Sequence, residues 1–246
     1  MNTRFFGIIP ARYASTRFPG KPLAMIGSKP MIQVVCEHVR EADLHHIAVA
    51  TDDERIFNCV KGFGSEVVMT SPNHPSGTDR CGEAAALLGL HDDDVVINIQ
   101  GDEPFISKKE INILKDMFQN PAVNIATLVK PMENAQDAQN PNKVKVALAK
   151  TGKALYFSRY PIPFVRDAGA HTPTYYQHLG IYAYRYKTLK QLIKLQPSDL
   201  ECSEKLEQLR WLENGYDIYA APCDYAGIGI DTLEDLQQLV SILNIE

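Results

Sequence analysis

Val95-Val96-Ile97-Asn98-Ile99, a nearly unbroken apolar run that ends in Gln100-Gly101-Asp102-Glu103-Pro104, decides the fold class. A strand with one wet face alternates apolar and polar residues, whereas a run without alternation is a strand covered on both faces. Runs of the same kind stand N-terminal to it at residues 5–9, 47–50 and 67–69, with segments of helical period between them. In one such segment Ile56, Phe57, Val60 and Phe63 share a face; C-terminal to the run, Ile111, Leu114 and Phe118 do the same. Thr51-Asp52-Asp53-Glu54 supplies capping and first-turn acidic residues, and Gly62 and Gly64 supply a stop. The pattern is β-α-β repeated, which predicts an α/β fold with a parallel sheet layered by helices.

Beyond Asn120 the pattern loosens. Strands are expected over 123–129, 144–148 and 179–184, around a stretch rich in Pro and aromatic residues at 156–176, with helices over 201–214 and 232–243. No linker or repeat divides the chain, so the expectation is one domain over 1–246 with a small subdomain inserted roughly within 120–185.

Composition removes several classes of function. Of 246 residues, 45% are hydrophobic and 22% charged, as in ordinary globular proteins. A net charge of −5 argues against a nucleic-acid partner and against an anionic membrane held by bulk charge. The five cysteines are scattered without a C-x-x-C pair, which reads as reduced thiols rather than zinc ligands or disulfides. The first dozen residues resemble neither a signal peptide nor a span, so the expectation is a cytoplasmic protein without membrane insertion.

The loop Pro10-Ala11-Arg12-Tyr13-Ala14-Ser15-Thr16-Arg17-Phe18-Pro19-Gly20-Lys21-Pro22 directly follows the first strand. Ligands of open α/β sheets bind beyond the carboxyl ends of strands, so topology alone places this loop at a site. It gathers Arg12, Arg17 and Lys21 with the hydroxyls of Ser15 and Thr16 and no acidic residue, a composition suited to a polyphosphate. The alternative is a solvated basic turn. Neither G-x-x-x-x-G-K-[ST] nor G-x-G-x-x-G occurs here, which argues against a P-loop and against a dinucleotide-dependent oxidoreductase.

Asp102, at the end of the central run, suits a hard cation such as Mg²⁺, which takes one or two carboxylates and completes its octahedron with water and phosphate. The alternative is that Asp102 or Glu103 caps the next helix. Asp231, in Gly227-Ile228-Gly229-Ile230-Asp231-Thr232, reads on spacing alone as a helix cap. His74-Pro75-Ser76-Gly77-Thr78-Asp79-Arg80 reads as a loop able to bond a base edge, Asp92-Asp93-Asp94 as a solvated turn, and His45-His46 as a surface pair.

Seven segments, PARYASTRFPGKPL, HPSGTDR, INIQGDEP, ALYFSR, HLGIYAY, LEQLRWLENG and GIGIDTLEDL, occur in this order over nearly the whole chain. Together the chain closely resembles the 3-deoxy-manno-octulosonate cytidylyltransferases, and it looks less like the sialate cytidylyltransferases, whose first loop typically reads A-R-G-G-S-K-G. The resemblance implies a Rossmann-like nucleotidyltransferase fold with a mixed, mostly parallel central sheet, a homodimer using the inserted subdomain, and dependence on Mg²⁺. It implies CTP and 3-deoxy-D-manno-octulosonate (Kdo) as substrates, with CMP-Kdo and pyrophosphate as products, in lipopolysaccharide biosynthesis.

Carried onto this sequence, Arg12, Ser15, Arg17 and Lys21 match the triphosphate loop, and Gly77, Thr78 and Arg80 the cytosine and ribose region. Asp102 and Asp231 match the metal aspartates, which replaces the cap-only reading of Asp231; Gln100, Arg159, His178, Tyr182, Glu207 and Gln208 match positions around the sugar. Arg12, Lys21, Asp102 and Asp231 are thus the expected catalytic set. Asp79 and Leu233 stand where relatives often have Glu and Pro. Other acceptors, 8-amino-Kdo or sialic acid, and a non-catalytic nucleotide-binding regulator are the competing readings.

Overall fold

In the computed structural model, which describes residues 3–14, 18–167, 169, 173–225, 229–230 and 232–243 (239–243 by backbone alone), the apolar runs are strands and the periodic segments helices. The chain first forms β1 (Phe5–Ala11), β2 (Met25–Ile26), β3 (Lys29–Pro30), α1 (Met31–Arg40), β4 (His46–Thr51), α2 (Glu54–Gly62), β5 (Glu66–Met69), α3 (Gly77–Leu87), β6 (Val95–Asn98) and α4 (Lys108–Met117). There follow β7 (Ile125–Pro131), β8 (Lys145–Leu148), β9 (Ala154–Ser158), β10 (Tyr176–Arg185), α5 (Tyr186–Leu192), α6 (Asp199–Glu204), α7 (Gln208–Glu213), β11 (Tyr219–Pro222) and α8 (Leu233–Leu243). Two compact units result: Met1–Asn112 with Tyr184–Ile193 and Gly227–Glu246, and Ile113–Ala183 with Lys194–Ala226.

In the first unit β6, β1, β4 and β5 lie side by side, all parallel, with Ile8 opposite both Asn98 and Ala48. Ile8, Ile9, Val49 and Ile97 are wholly buried, as the unbroken apolar runs require. Helices cover them through apolar stripes: Met31, Ile32, Val35 and Val39 of α1, Ile56 and Val60 of α2, Ile111 of α4. Each such side chain contributes about 1.5–3 kcal/mol by leaving water. Because the strands are parallel, the chain leaves β1, β5 and β6 at one edge of the sheet, where the site lies.

The structure revises some local readings. His74–Arg80 is not wholly a loop: Ser76 caps α3, its Oγ accepting from the Asp79 N–H at 3.2 Å and donating to Asp79 Oδ2 at 2.6 Å, so Gly77, Thr78 and Arg80 occupy the first helical turns. Asp94 is not solvated. It is 4% exposed, takes a bidentate bond from Arg4 at 2.7 and 2.5 Å and accepts from the His91 N–H, an outcome the run of three aspartates hides. Burial, the largest single influence, would raise its carboxyl, but the Arg4 bond, the His91 N–H and the charge of Arg4 together outweigh it and hold the group below the usual carboxylate range. The helix after Asp102-Glu103 is capped by Ser107, not by either acid: Ser107 Oγ accepts from the Lys109 N–H and donates to Glu110.

In the second unit β11 runs parallel to β7, β8 and β9 form an antiparallel pair, and Gln177 of β10 pairs with Lys145 of β8. The strands of the protein are thus mixed and mostly parallel. The Thr127 hydroxyl of β7 reaches the Leu179 and Ile181 carbonyls of β10 at 3.1 and 2.8 Å. The single helix expected over 201–214 is two, α6 and α7, separated by Lys205 in the left-handed region (φ 54°). The cause is long-range: the Glu204 and Lys205 carbonyls accept from Arg159 Nε at 2.7 Å and from Arg159 Nη2 at 3.3 Å, outside any helical ladder.

Candidate active site

A cavity of about 220 Å³ opens in the first unit at the carboxyl edge of its sheet. Arg12 and Lys21 come from the loop after β1, His74 from the segment before α3, Gly77 and Arg80 from the start of α3, and Gln100 and Asp102 from the segment after β6. Sequence positions up to 90 residues apart are thereby gathered by one parallel sheet. Close backbone approach is part of this: a Cβ on Gly101 would stand 3.0 Å from the Pro10 carbonyl oxygen. The loop after β1 closes on itself where the Gly20 N–H donates to the Tyr13 carbonyl at 2.9 Å, with Gly20 at φ 72°.

Lys21 opens a 3₁₀ turn, Lys21–Leu23, and its ammonium lies 2.6 Å from Asp102 Oδ2 and 2.8 Å from the Ile230 carbonyl oxygen. The Ile230 N–H donates to the Asp102 carbonyl at 2.9 Å, so the two oxygen donors are tied together by backbone. An acidic side chain and a main-chain carbonyl converging on a cation form the all-oxygen environment that a hard divalent ion prefers. No group of three or more His, Cys, Asp or Glu with metal-holding geometry occurs among the described residues. Ser15, Arg17 and Asp231 lie outside the described residues.

Arg80 is 3% exposed, its guanidinium held by Thr70 Oγ1 at 2.6 Å and Asp52 Oδ2 at 3.1 Å, so it presents a fixed edge to the cavity. Thr78 is buried within α3 rather than on the cavity wall. His74 hydrogen-bonds Glu83 through Nε2, and Glu83 also accepts from the Ser71 N–H. His38 Nδ1 meets the Pro104 carbonyl at 2.5 Å and fixes the segment that carries Asp102. Asp52, Thr70, Glu83 and His38 were missed by sequence reasoning. Only Asp52 carried a signal, its place immediately after a strand.

The comparisons with known proteins point the same way. The cytidylyltransferase family model matches residues 6–218. A 3-deoxy-manno-octulosonate cytidylyltransferase of Parabacteroides distasonis is 51% identical over 98% of each chain, and one of Bacteroides thetaiotaomicron 54% identical, again over 98% of each. The chain belongs to the 3-deoxy-manno-octulosonate cytidylyltransferase family. The solved CMP:2-keto-3-deoxy-manno-octonic acid synthetase, complexed with CTP, superposes with a TM-score of 0.92 at 39% identity, over 98% of this chain and 99% of that one. Membership in this family of cytidylyltransferases makes the chain a nucleotidyltransferase.

Of the residues matched to the sugar region of these cytidylyltransferases, Gln100 belongs to the first unit and the others to the second. Arg159 gives three of its five N–H donors to the carbonyls of Glu204, Lys205 and Pro141, which leaves two without a partner among the described residues. The His178 ring lies edge-on to Phe157 at 5.1 Å and 5.2 Å from the Tyr182 ring, which in turn meets Trp211 at 5.1 Å. Burial pushes His178 down to about 3 and, with the Glu207 charge adding to it, raises the Tyr182 phenol well above its usual value, so both are neutral near pH 7. With the Thr127 hydrogen committed to a carbonyl, His178 Nε2 donates to Thr127 Oγ1 at 3.1 Å and Nδ1 is the acceptor.

Gln208 is 5% exposed and its Nε2 has no hydrogen-bond partner among the described residues, a donor held ready inside the unit. Lys145, unforeseen from sequence, is wholly buried with its ammonium on the Asn140 and Arg159 carbonyls; burial lowers its pKa.

Proposed function

We propose that this protein transfers CMP from CTP to the anomeric hydroxyl of Kdo, giving CMP-Kdo and pyrophosphate, an activation step in lipopolysaccharide biosynthesis. One observation carries the reading: a single cavity brings Arg12, Lys21 and Arg80 together with Asp102, as transfer from a nucleoside triphosphate requires. In the reaction the sugar oxygen bonds to the α-phosphorus, the bond from that phosphorus to the bridging oxygen breaks, and the hydroxyl proton leaves to solvent. Arg12 and Lys21 neutralise the triphosphate and the charge growing on pyrophosphate, and Arg80, immobilised by Asp52 and Thr70, reads the base.

Asp102 and the Ile230 carbonyl, with Asp231, would hold Mg²⁺, which when bound supplies Lewis-acid polarisation of the phosphate oxygens. Within the second unit Arg159 offers its two remaining donors to the Kdo carboxylate, while His178, Tyr182, Glu207 and Gln208 are the partners for the sugar hydroxyls. Neutral His178 accepts at Nδ1, a role for orientation rather than proton transfer.

We further place the reaction in the cytoplasm, consistent with five free cysteines, and in a homodimer joined through the second unit, where Leu155, Tyr160 and Phe164 are 63–79% exposed. Among the described residues no helix is long and apolar enough to cross a membrane. The decisive assay is metal-dependent pyrophosphate release from CTP with Kdo, 8-amino-Kdo and sialic acid in parallel. Release with Kdo alone is expected. Preference for another acceptor would keep the chemistry and change the substrate, and no release from folded protein that binds CTP would favour a silent nucleotide binder. Light scattering in solution checks the dimer.

A further inference from the structure

The ammonium of Lys21 touches the same two oxygen donors, Asp102 Oδ2 and the Ile230 carbonyl, that suit a divalent cation. A lysine and a metal ion cannot share them. The Lys21 side chain is 13% exposed and the Asp102 side chain 34%, so the pair is partly shielded from water and stronger than a surface ion pair. The backbones that carry the two oxygen donors are joined without the lysine, since the Ile230 N–H binds the Asp102 carbonyl directly. The lysine backbone is equally fixed: the Lys21 N–H donates to Phe18 and the Lys21 carbonyl accepts from Ala24. What can move is the four-carbon stem, and the charge it carries lines the same cavity as Arg12 and Arg80.

We propose that Lys21 is an internal counter-ion that occupies the cation position at Asp102 and Ile230 until the triphosphate draws its ammonium away, which makes nucleotide binding the precondition for metal binding. This rests on reading the cavity as the CTP site. Before nucleotide arrives, a divalent ion must displace a positive charge already bonded to its own ligands. Afterwards the phosphates give the lysine a stronger partner and the ion gains phosphate oxygens in the same event. The device keeps Asp102 neutralised without loading metal unproductively, and it assigns Lys21 two successive partners.

The test is binding of Mn²⁺ alone, without nucleotide, to the full chain, followed by electron paramagnetic resonance of the free ion. Lys21→Met is expected to bind Mn²⁺ about ten- to a hundredfold more tightly than the wild type, the range set by removing one charge-assisted hydrogen bond. Lys21→Gln serves as a second variant, with a thermal melt to confirm that each is folded. Asp102→Asn is expected to remove the gain in the double variant. Arg12→Met separates a specific exchange from bulk charge, because it removes a cation of the same cavity that, among the described residues, makes no hydrogen bond to Asp102.

Equal Mn²⁺ affinity in wild type and both Lys21 variants would overturn the proposal, as would an equal gain in Arg12→Met. A CTP-induced shift of the wild-type melt in EDTA is run alongside. Its absence would overturn the nucleotide reading and the proposal with it, whereas its presence with unchanged Mn²⁺ binding would overturn the proposal alone.

Discussion

The first unit lines its cavity with charged side chains paired to one another, whereas the second holds groups whose charge is spent on carbonyls or suppressed by burial. Lys21 and Asp102 pair with each other at 2.6 Å in a cavity that Arg12 and Arg80 also line. In the second unit Arg159 is tied to three carbonyls, Lys145 is buried on two more, and His178 is neutral. The difference matches what the proposed function asks of each. A polyphosphate needs counter-charge that reorganises as pyrophosphate leaves, whereas a polyhydroxylated sugar needs fixed donors and acceptors.

The sharpest way to break the contrast is at Asp102. Asp102→Asn is expected to lower kcat about a hundredfold or more while CTP binding in EDTA persists; near wild-type turnover with Mg²⁺ would show that the first unit does not work through this carboxylate. The next largest effect concerns rigidity in the second unit. Arg210 holds the Glu201 carboxyl below the usual carboxylate range through bonds of 2.6 Å, and it also binds the Leu195 carbonyl. Glu201→Gln should cost about 2 kcal/mol in urea unfolding at neutral pH.

A carboxyl with a depressed folded-state pKa contributes its stability above the unfolded value of about 4.3 and loses it as pH falls through the folded value. The gap between wild type and Glu201→Gln should therefore be constant at neutral pH and close below about pH 4. A gap that persists there would mean the pair is not what stabilises α6 against α7.

Smaller effects probe the proposed sugar contacts. Arg159→Ala is expected to raise the KM for Kdo at least about tenfold, one charge-assisted bond, with the KM for CTP within about twofold; an unchanged Kdo KM would remove Arg159 from the site. His178→Gln should raise that KM about threefold, the cost of one neutral hydrogen bond, without altering the pH profile. Its imidazole gains a proton only near pH 3, so nothing titrates at this position in the working range. A pH step near 6 that disappears in the variant would show that His178 is charged in solution.

Much of this was legible in sequence for a physical reason. Buried parallel strands must be apolar on both faces, so 5–9, 47–50 and 95–99 announce themselves, and helices packed on them must carry stripes such as Ile56 and Val60. Arg12, Lys21 and Asp102 were legible because they follow strands at the edge where α/β sheets bind ligands. The partners that set their geometry were not. Thr70 and Asp52 reach Arg80 from other segments, and His38 reaches Pro104 from 66 positions away, with no periodicity to mark either.

The break at Lys205 shows the limit most clearly. Local spacing from Glu201 to Asn214 favours one helix, and the carbonyls that end it are claimed by Arg159, a residue on another segment. The sequence by itself determined the α/β class and the strand-end residues, because these follow from local pattern, and it carried the resemblance to the family through seven motifs in one order. Tertiary structure alone decided that Lys21 sits on Asp102, that Arg80 is held rather than free, and that His178 is neutral, because hydrogen-bond partners and desolvation depend on what the fold brings within a few ångströms.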